Sequence, residues 1–159
     1  MPTARLAGAI VALAVPALLL VACGGSSRLS ARDYRSRLAA LGRSDDKAHQ
    51  AVESVARHPK SVAQIRAALA KFADDEQRLG DDAARLRPPK EVEDANELLA
   101  RGLHDTAKEL HAIDPKLASL RSVRAALSLL QREGARVQGG HELDRALAEL
   151  KAKGYGSGE

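Results

Sequence analysis

Stripes of apolar residues spaced alternately three and four apart run through most of this chain, and that period leaves it little choice but to fold as packed α-helices. The first stripe reads Tyr34, Leu38, Leu41, Ala48, Val52 and Val55. The second reads Val62, Ile65, Leu69, Phe72, Leu79, Ala83 and Leu86. A third follows at Val92, Ala95, Leu99, Leu103, Thr106, Leu110 and Ile113, and a fourth at Leu117, Leu120, Val123, Leu127, Leu130, Gly134 and Val137. Between them lie helix starts and stops: Ser30 and Ser61 as N-caps, His58-Pro59 and Pro88-Pro89 as breaks, Asp114-Pro115 as a cap with proline at the first helical position. β-Branched and aromatic residues are too sparse to suggest strands.

Short connections make neighbouring helices antiparallel, and the stripes can be tested against that geometry. In a hairpin, facing residues keep a nearly constant summed number. Tyr34/Leu86, Leu41/Leu79 and Val55/Ile65 satisfy this for the first two helices, and Leu86/Val92, Leu79/Leu99 and Ile65/Ile113 for the next pair. Leu110/Leu120, Leu103/Leu127, Leu99/Leu130 and Val92/Val137 do so for the last. The expected fold is all-α: an antiparallel up-down four-helix bundle over residues 30–153, with helices near 31–57, 61–87, 89–113 and 115–138. An extra helical segment, 141–153, carries Leu143, Leu147 and Leu150 and is expected to cap the bundle's lower end. The alternatives for it are a partner-binding or membrane-surface helix. Residues 154–159 read as a disordered Gly-rich tail.

The N-terminus carries an address. Met1 to Arg5 form a short basic head, Leu6 to Val21 an apolar run interrupted by Pro16, and the run ends in Leu20-Val21-Ala22-Cys23 before Gly24-Gly25-Ser26-Ser27. This ending resembles the lipobox of bacterial lipoproteins. The resemblance implies that residues 1–22 are a signal peptide cut between Ala22 and Cys23. It also implies that the Cys23 thiol carries a diacylglyceryl group with a further acyl chain on the new N-terminus, and that the protein sits on the extracytoplasmic face of the cell membrane. Cys23 is the only cysteine, so it fits a tether and leaves no internal disulfide or thiolate metal cluster. Residues 23–29 would be the lipidated tether. Heavy use of Ala, and of Arg over Lys, fits a GC-rich genome such as an actinobacterial one.

A formal net charge of +4 and 2% aromatic residues give neither the dense basic face nor the stacking rings of a nucleic-acid binder, so no nucleic acid is expected as partner. No nucleophile elbow, phosphate loop or metalloprotease motif occurs, and no enzyme activity or cofactor is expected beyond the acyl groups on Cys23. Arg32, Arg35, Arg37, Arg85 and Arg87, with Arg28, Lys90 and Arg136, gather near the lipidated end of the expected bundle. They could contact anionic lipid, or could be ordinary solvated surface. One core layer breaks the apolar pattern. Asp45 and Glu76 occupy stripe positions that face each other, Gly102 is their counterpart on the third helix, His49 lies one turn from Asp45, and His104 is near in sequence. Carboxylates and imidazoles inside a bundle can hold a divalent metal, although the paired Glu-x-x-His motifs of ferritin-like bundles are missing. The expected function is a non-catalytic interaction, scaffold or accessory module of the cell envelope, with an envelope protein as partner. The alternative is a metal- or small-ligand-binding bundle built on Asp45, His49, Glu76 and His104.

Overall fold

A computed structural model describes residues 27–156, so the expected signal peptide 1–22 and the expected lipidation site Cys23 lie outside the described residues. Five α-helices pack together and no strand occurs among the described residues: α1 (Ala31–Arg57), α2 (Val62–Arg85), α3 (Glu93–Ala118), α4 (Val123–Gly134) and α5 (Gly139–Ala152). Ser30 and Ser61 cap α1 and α2 as their sequence context demands, each side-chain oxygen accepting from the backbone N–H three residues on. Pro88 and Pro89 separate α2 from a short 3-10 turn at Lys90–Val92 that leads into α3.

The first three helices run up, down and up. The lower end is fixed by a buried polar chain across all three: the Tyr34 hydroxyl donates to Asn96 Oδ1 at 2.9 Å, and Asn96 Nδ2 donates to the Ala83 carbonyl at 3.0 Å. α2 and α3 form the central seam, and α3 carries the most buried residues of any helix.

The fourth column departs from the regular bundle. α3 does not stop at Ile113. It continues through Asp114-Pro115 to Ala118, because Leu117, fully buried, completes the upper core, and Arg66 grips Asp114 with two hydrogen bonds of 2.8 Å. Proline removes one backbone donor there, a loss that the last turn tolerates when its side chains are this well packed. The longer α3 leaves α4 only 12 residues. Nor does α4 descend α3 in the expected register, since Glu133 at its end pairs with Lys116 at 2.6 Å, where the constant-sum hairpin would set it far down α3. Leu127 and Leu130 therefore belong to the upper core with Leu110 and Ile113, rather than facing Leu103 and Leu99.

α5 takes the vacated place. It runs antiparallel to α3, and its Ala146 and Leu150 join Leu99, Leu103, Val92 and Tyr34 in the lower core. Two glycines make this possible. A Cβ on Gly139 would stand 2.4 Å from the Thr106 backbone nitrogen, and one on Gly102 would meet Leu143 at 3.0 Å. Gly102 thus admits α5 instead of facing the Asp45/Glu76 layer. Glu109 of α3 caps the start of α5, its carboxylate accepting from the Gln138 and Gly139 N–H groups at 2.7 and 3.3 Å.

Both ends of the domain are tied down further than the sequence suggests. Leu29 N–H donates to the Arg87 carbonyl at 2.7 Å, and Arg28 reaches Glu93 at 2.9 Å, so the last residues of the expected tether are docked. Residues 154–156 are not a loose tail. Tyr155 is buried, its hydroxyl donates to Glu91 at 2.6 Å, and its ring meets Tyr34 edge-on with centroids 5.5 Å apart. Residues 157–159 lie outside the described residues.

Candidate functional site

The core is divided by one polar layer. Below it lies a cluster containing Tyr34, Leu79, Leu99, Leu103 and Leu150, and above it another containing Ala48, Leu69, Phe72, Leu110 and Leu117. Asp45 on α1 and Glu76 on α2 stand between, at the positions where each apolar stripe lapses. His49, one turn above Asp45 on the same face, turns back toward the layer: its Nε2 lies 3.5 Å from Asp45 Oδ1. One ligand atom from each of Asp45, His49 and Glu76 falls within 4.8 Å of the others.

The three groups differ in environment. Glu76 is only 1% exposed, its Oε1 has no hydrogen-bond partner, and among the described residues no lysine or arginine is buried with it. Burial, and secondly the Asp45 carboxyl beside it, push its pKa up to about 8, so at neutral pH this carboxyl holds its proton in the absence of a cation. Asp45 and His49 are partly open to solvent, their side chains 39% and 53% exposed. The His49 ring also leans on Phe72, centroids 4.7 Å apart at 61°, which restrains its direction without consuming a ring nitrogen. The register that pairs Asp45 with Glu76 also pairs His49 with Phe72, so this contact was available from the sequence.

His104 is not part of the cluster. Its Nε2 lies 3.0 Å from Asp81 Oδ1, and its ring fills the space above Gly80, where a Cβ would come within 2.3 Å. His111 pairs with Asp74 at 3.3 Å on the surface. The structure therefore brings together three of the four residues of the expected polar layer.

Beside the layer opens a groove of about 440 Å³ that sequence reasoning missed. It forms because α5 packs on α3 and leaves one flank of α1 uncovered; Tyr34 and Ala48 are the only buried residues of α1. Leu38, Leu41, Leu99, Leu143 and Leu147 line it, and Asp45 stands in its wall. Leu147, 54% exposed, is the one large hydrophobic residue so exposed among the described residues.

The basic end is partly neutralised. Arg28 pairs with Glu93, Arg85 with Asp82 at 3.3 Å, and Arg35 donates to the Gly154 carbonyl at 3.1 Å while lying 5.3 Å over the Tyr155 ring. Arg32, Arg37 and Arg87 are exposed on this end. Arg136 and Val137 are not there at all: they follow α4, near Glu133 and Glu109, and the C-terminus of α5 occupies the place expected for them. No helix among the described residues is long and apolar enough to cross a membrane. No protein-family model, no curated protein and no solved structure matches this chain.

Proposed function

We propose that this chain is a bacterial lipoprotein, tethered through acylated Cys23 to the extracytoplasmic face of the cell membrane. Its helical domain acts there as a non-catalytic interaction or accessory module of the envelope. The observation that carries the reading is the lipobox Leu20-Val21-Ala22-Cys23, with the chain's only cysteine at the position that the resemblance requires. The fold is compatible with it in one respect. Leu29 is already docked against the α2 end, and the six residue-to-residue steps from Cys23 to Leu29 reach at most about 22 Å, so an acylated Cys23 would hold this end of the domain next to the bilayer. Exposed Arg32 and Arg37 would then face anionic head groups, each contributing up to about 1 kcal/mol. The reading assigns no reaction to the domain.

The test is membrane fractionation with mass spectrometry of the full-length protein. Wild type should partition with membranes, with a mass lacking residues 1–22 and bearing acyl chains, and C23A should leave the membrane fraction. A mass still containing residues 1–22, or membrane association unchanged in C23A, would overturn the anchor. For the lipid contact, R32Q/R35Q/R37Q in the unacylated domain should weaken binding to anionic vesicles at low salt. Unchanged binding would make these arginines plain solvated surface.

A further inference from the structure

Buried carboxyl groups are expensive to place in a helical core, and the sequence could have continued either stripe with leucine at no cost to the fold. Instead both stripes lapse in the same layer, and one of the two residues, Glu76, sits 99% out of solvent with an oxygen that bonds to nothing. An apolar replacement would serve packing better, and a buried ion pair would supply a lysine or arginine. The groups that converge on Glu76 are instead a second carboxyl and an imidazole.

We propose that Asp45, His49 and Glu76 form a binding site for a divalent transition-metal ion of zinc-like character, entered from the groove between α1 and α5. The argument rests on donor chemistry, geometry and access together. Two carboxyl oxygens and one imidazole nitrogen suit borderline divalent ions, whereas hard calcium or magnesium would want oxygen donors throughout. Asp45 and His49 lie one helical turn apart, the spacing that points two side chains at one ion, and Glu76 reaches the same point from the neighbouring helix. Their ligand atoms lie within 4.8 Å of one another, and a tetrahedral zinc shell would need separations of about 3.3 Å. The two groups that must close that gap are the partly exposed ones, Asp45 and His49, while Glu76 stays fixed in the core. Asp45 stands in the groove wall, so hydrated metal can reach this carboxyl from solvent. Binding would replace the proton held by the two carboxyl groups with a dication and give the unpartnered Glu76 oxygen a ligand bond in one step.

This site does not depend on the lipid anchor, and its test is separate. Full-length protein extracted in detergent is stripped with chelator and titrated with zinc alone by calorimetry, and with cobalt for its visible absorption. Wild type should bind one ion per chain, release protons on binding, show cobalt bands of a nitrogen/oxygen site, and melt at higher temperature in zinc. H49A and the near-isosteric E76Q should each weaken binding by about tenfold or more, since loss of even an outer-shell partner commonly costs that much. H104A and H111A should leave it unchanged, because each imidazole is paired elsewhere with its own aspartate. The proposal is overturned if wild type shows no saturable binding, or if binding survives both H49A and E76Q in variants whose helical circular dichroism matches wild type.

Discussion

Glu76 is the residue whose chemistry most conflicts with its place. In the metal-free protein its pKa is raised to about 8, first by burial and then by Asp45, against an ordinary value of 4.5. Below about pH 4.5 the carboxyl is protonated in both folded and unfolded chains and contributes no pH dependence. Between the two values the unfolded chain ionises while the folded one keeps its proton, so this residue makes stability fall as pH rises, levelling off above about pH 8. Gln cannot ionise. E76Q should therefore gain on wild type as pH rises, by on the order of 2–4 kcal/mol between pH 5 and pH 8.5, in urea denaturation with chelator present. An equal difference at both pH values would mean that Glu76 titrates normally and is better solvated than its burial implies. The presence of a polar layer was legible, because Asp45 and Glu76 interrupt two otherwise regular stripes. That His49 would join it and His104 would not was harder to read: the inclusion follows from register, the exclusion from Gly80 and Asp81 taking up the His104 ring.

At the scale of elements, helix identity followed from local signals and helix position did not. α1 and α2 begin where a serine can accept from the third N–H onward, and they end at proline-bearing breaks. Asp114-Pro115 looked like a similar start signal and was not, because burial of Leu117 outweighed a missing backbone donor. Two consecutive glycines, Gly139-Gly140, favour a break or kink. In the structure Gly139 opens α5 and forms the point where α5 meets α3, with Thr106 and the Gly102 carbonyl in the space a side chain would need. G139A should cost about 1–3 kcal/mol, because the nearest atoms include backbone that cannot turn aside. G140A, where nothing lies within 4 Å, should cost little or be stabilising. The check is the urea midpoint of each variant. Equal effects would mean that α5 is not seated on α3 in this way.

For the whole molecule, two cores separated by a polar layer are closed by different helices: the upper by α4, the lower by α5 and Tyr155. Burying a leucine or an aromatic ring contributes roughly 1.5–3 kcal/mol, and a domain this size has only about 5–15 kcal/mol in total. A chain ending at Gln138 would lose Ala146, Leu150 and Tyr155 from around Val92, Leu99 and Leu103. Hydrogen exchange should then show residues 95–103 losing protection while 110–117 retain theirs. Protection lost uniformly along α3 would show instead that the two cores fold as one unit.

What the sequence determined by itself was whatever depends on neighbours along the chain. The three-four period dictates helices, serine and proline dictate most of their ends, and constant-sum pairing dictates the α1–α2 and α2–α3 hairpins, since short turns leave only one way to match stripes. The lipobox resemblance likewise rests on contiguous residues. What the tertiary structure alone decided was how the last third of the chain is used. α4 and α5 each carry an apolar stripe able to cover α3, and no local signal ranks them. The choice falls to steric fit, through two glycines that let α5 approach closely, and to the Glu109 carboxylate that caps it. The groove along α1, with Asp45 in its wall, follows from that choice.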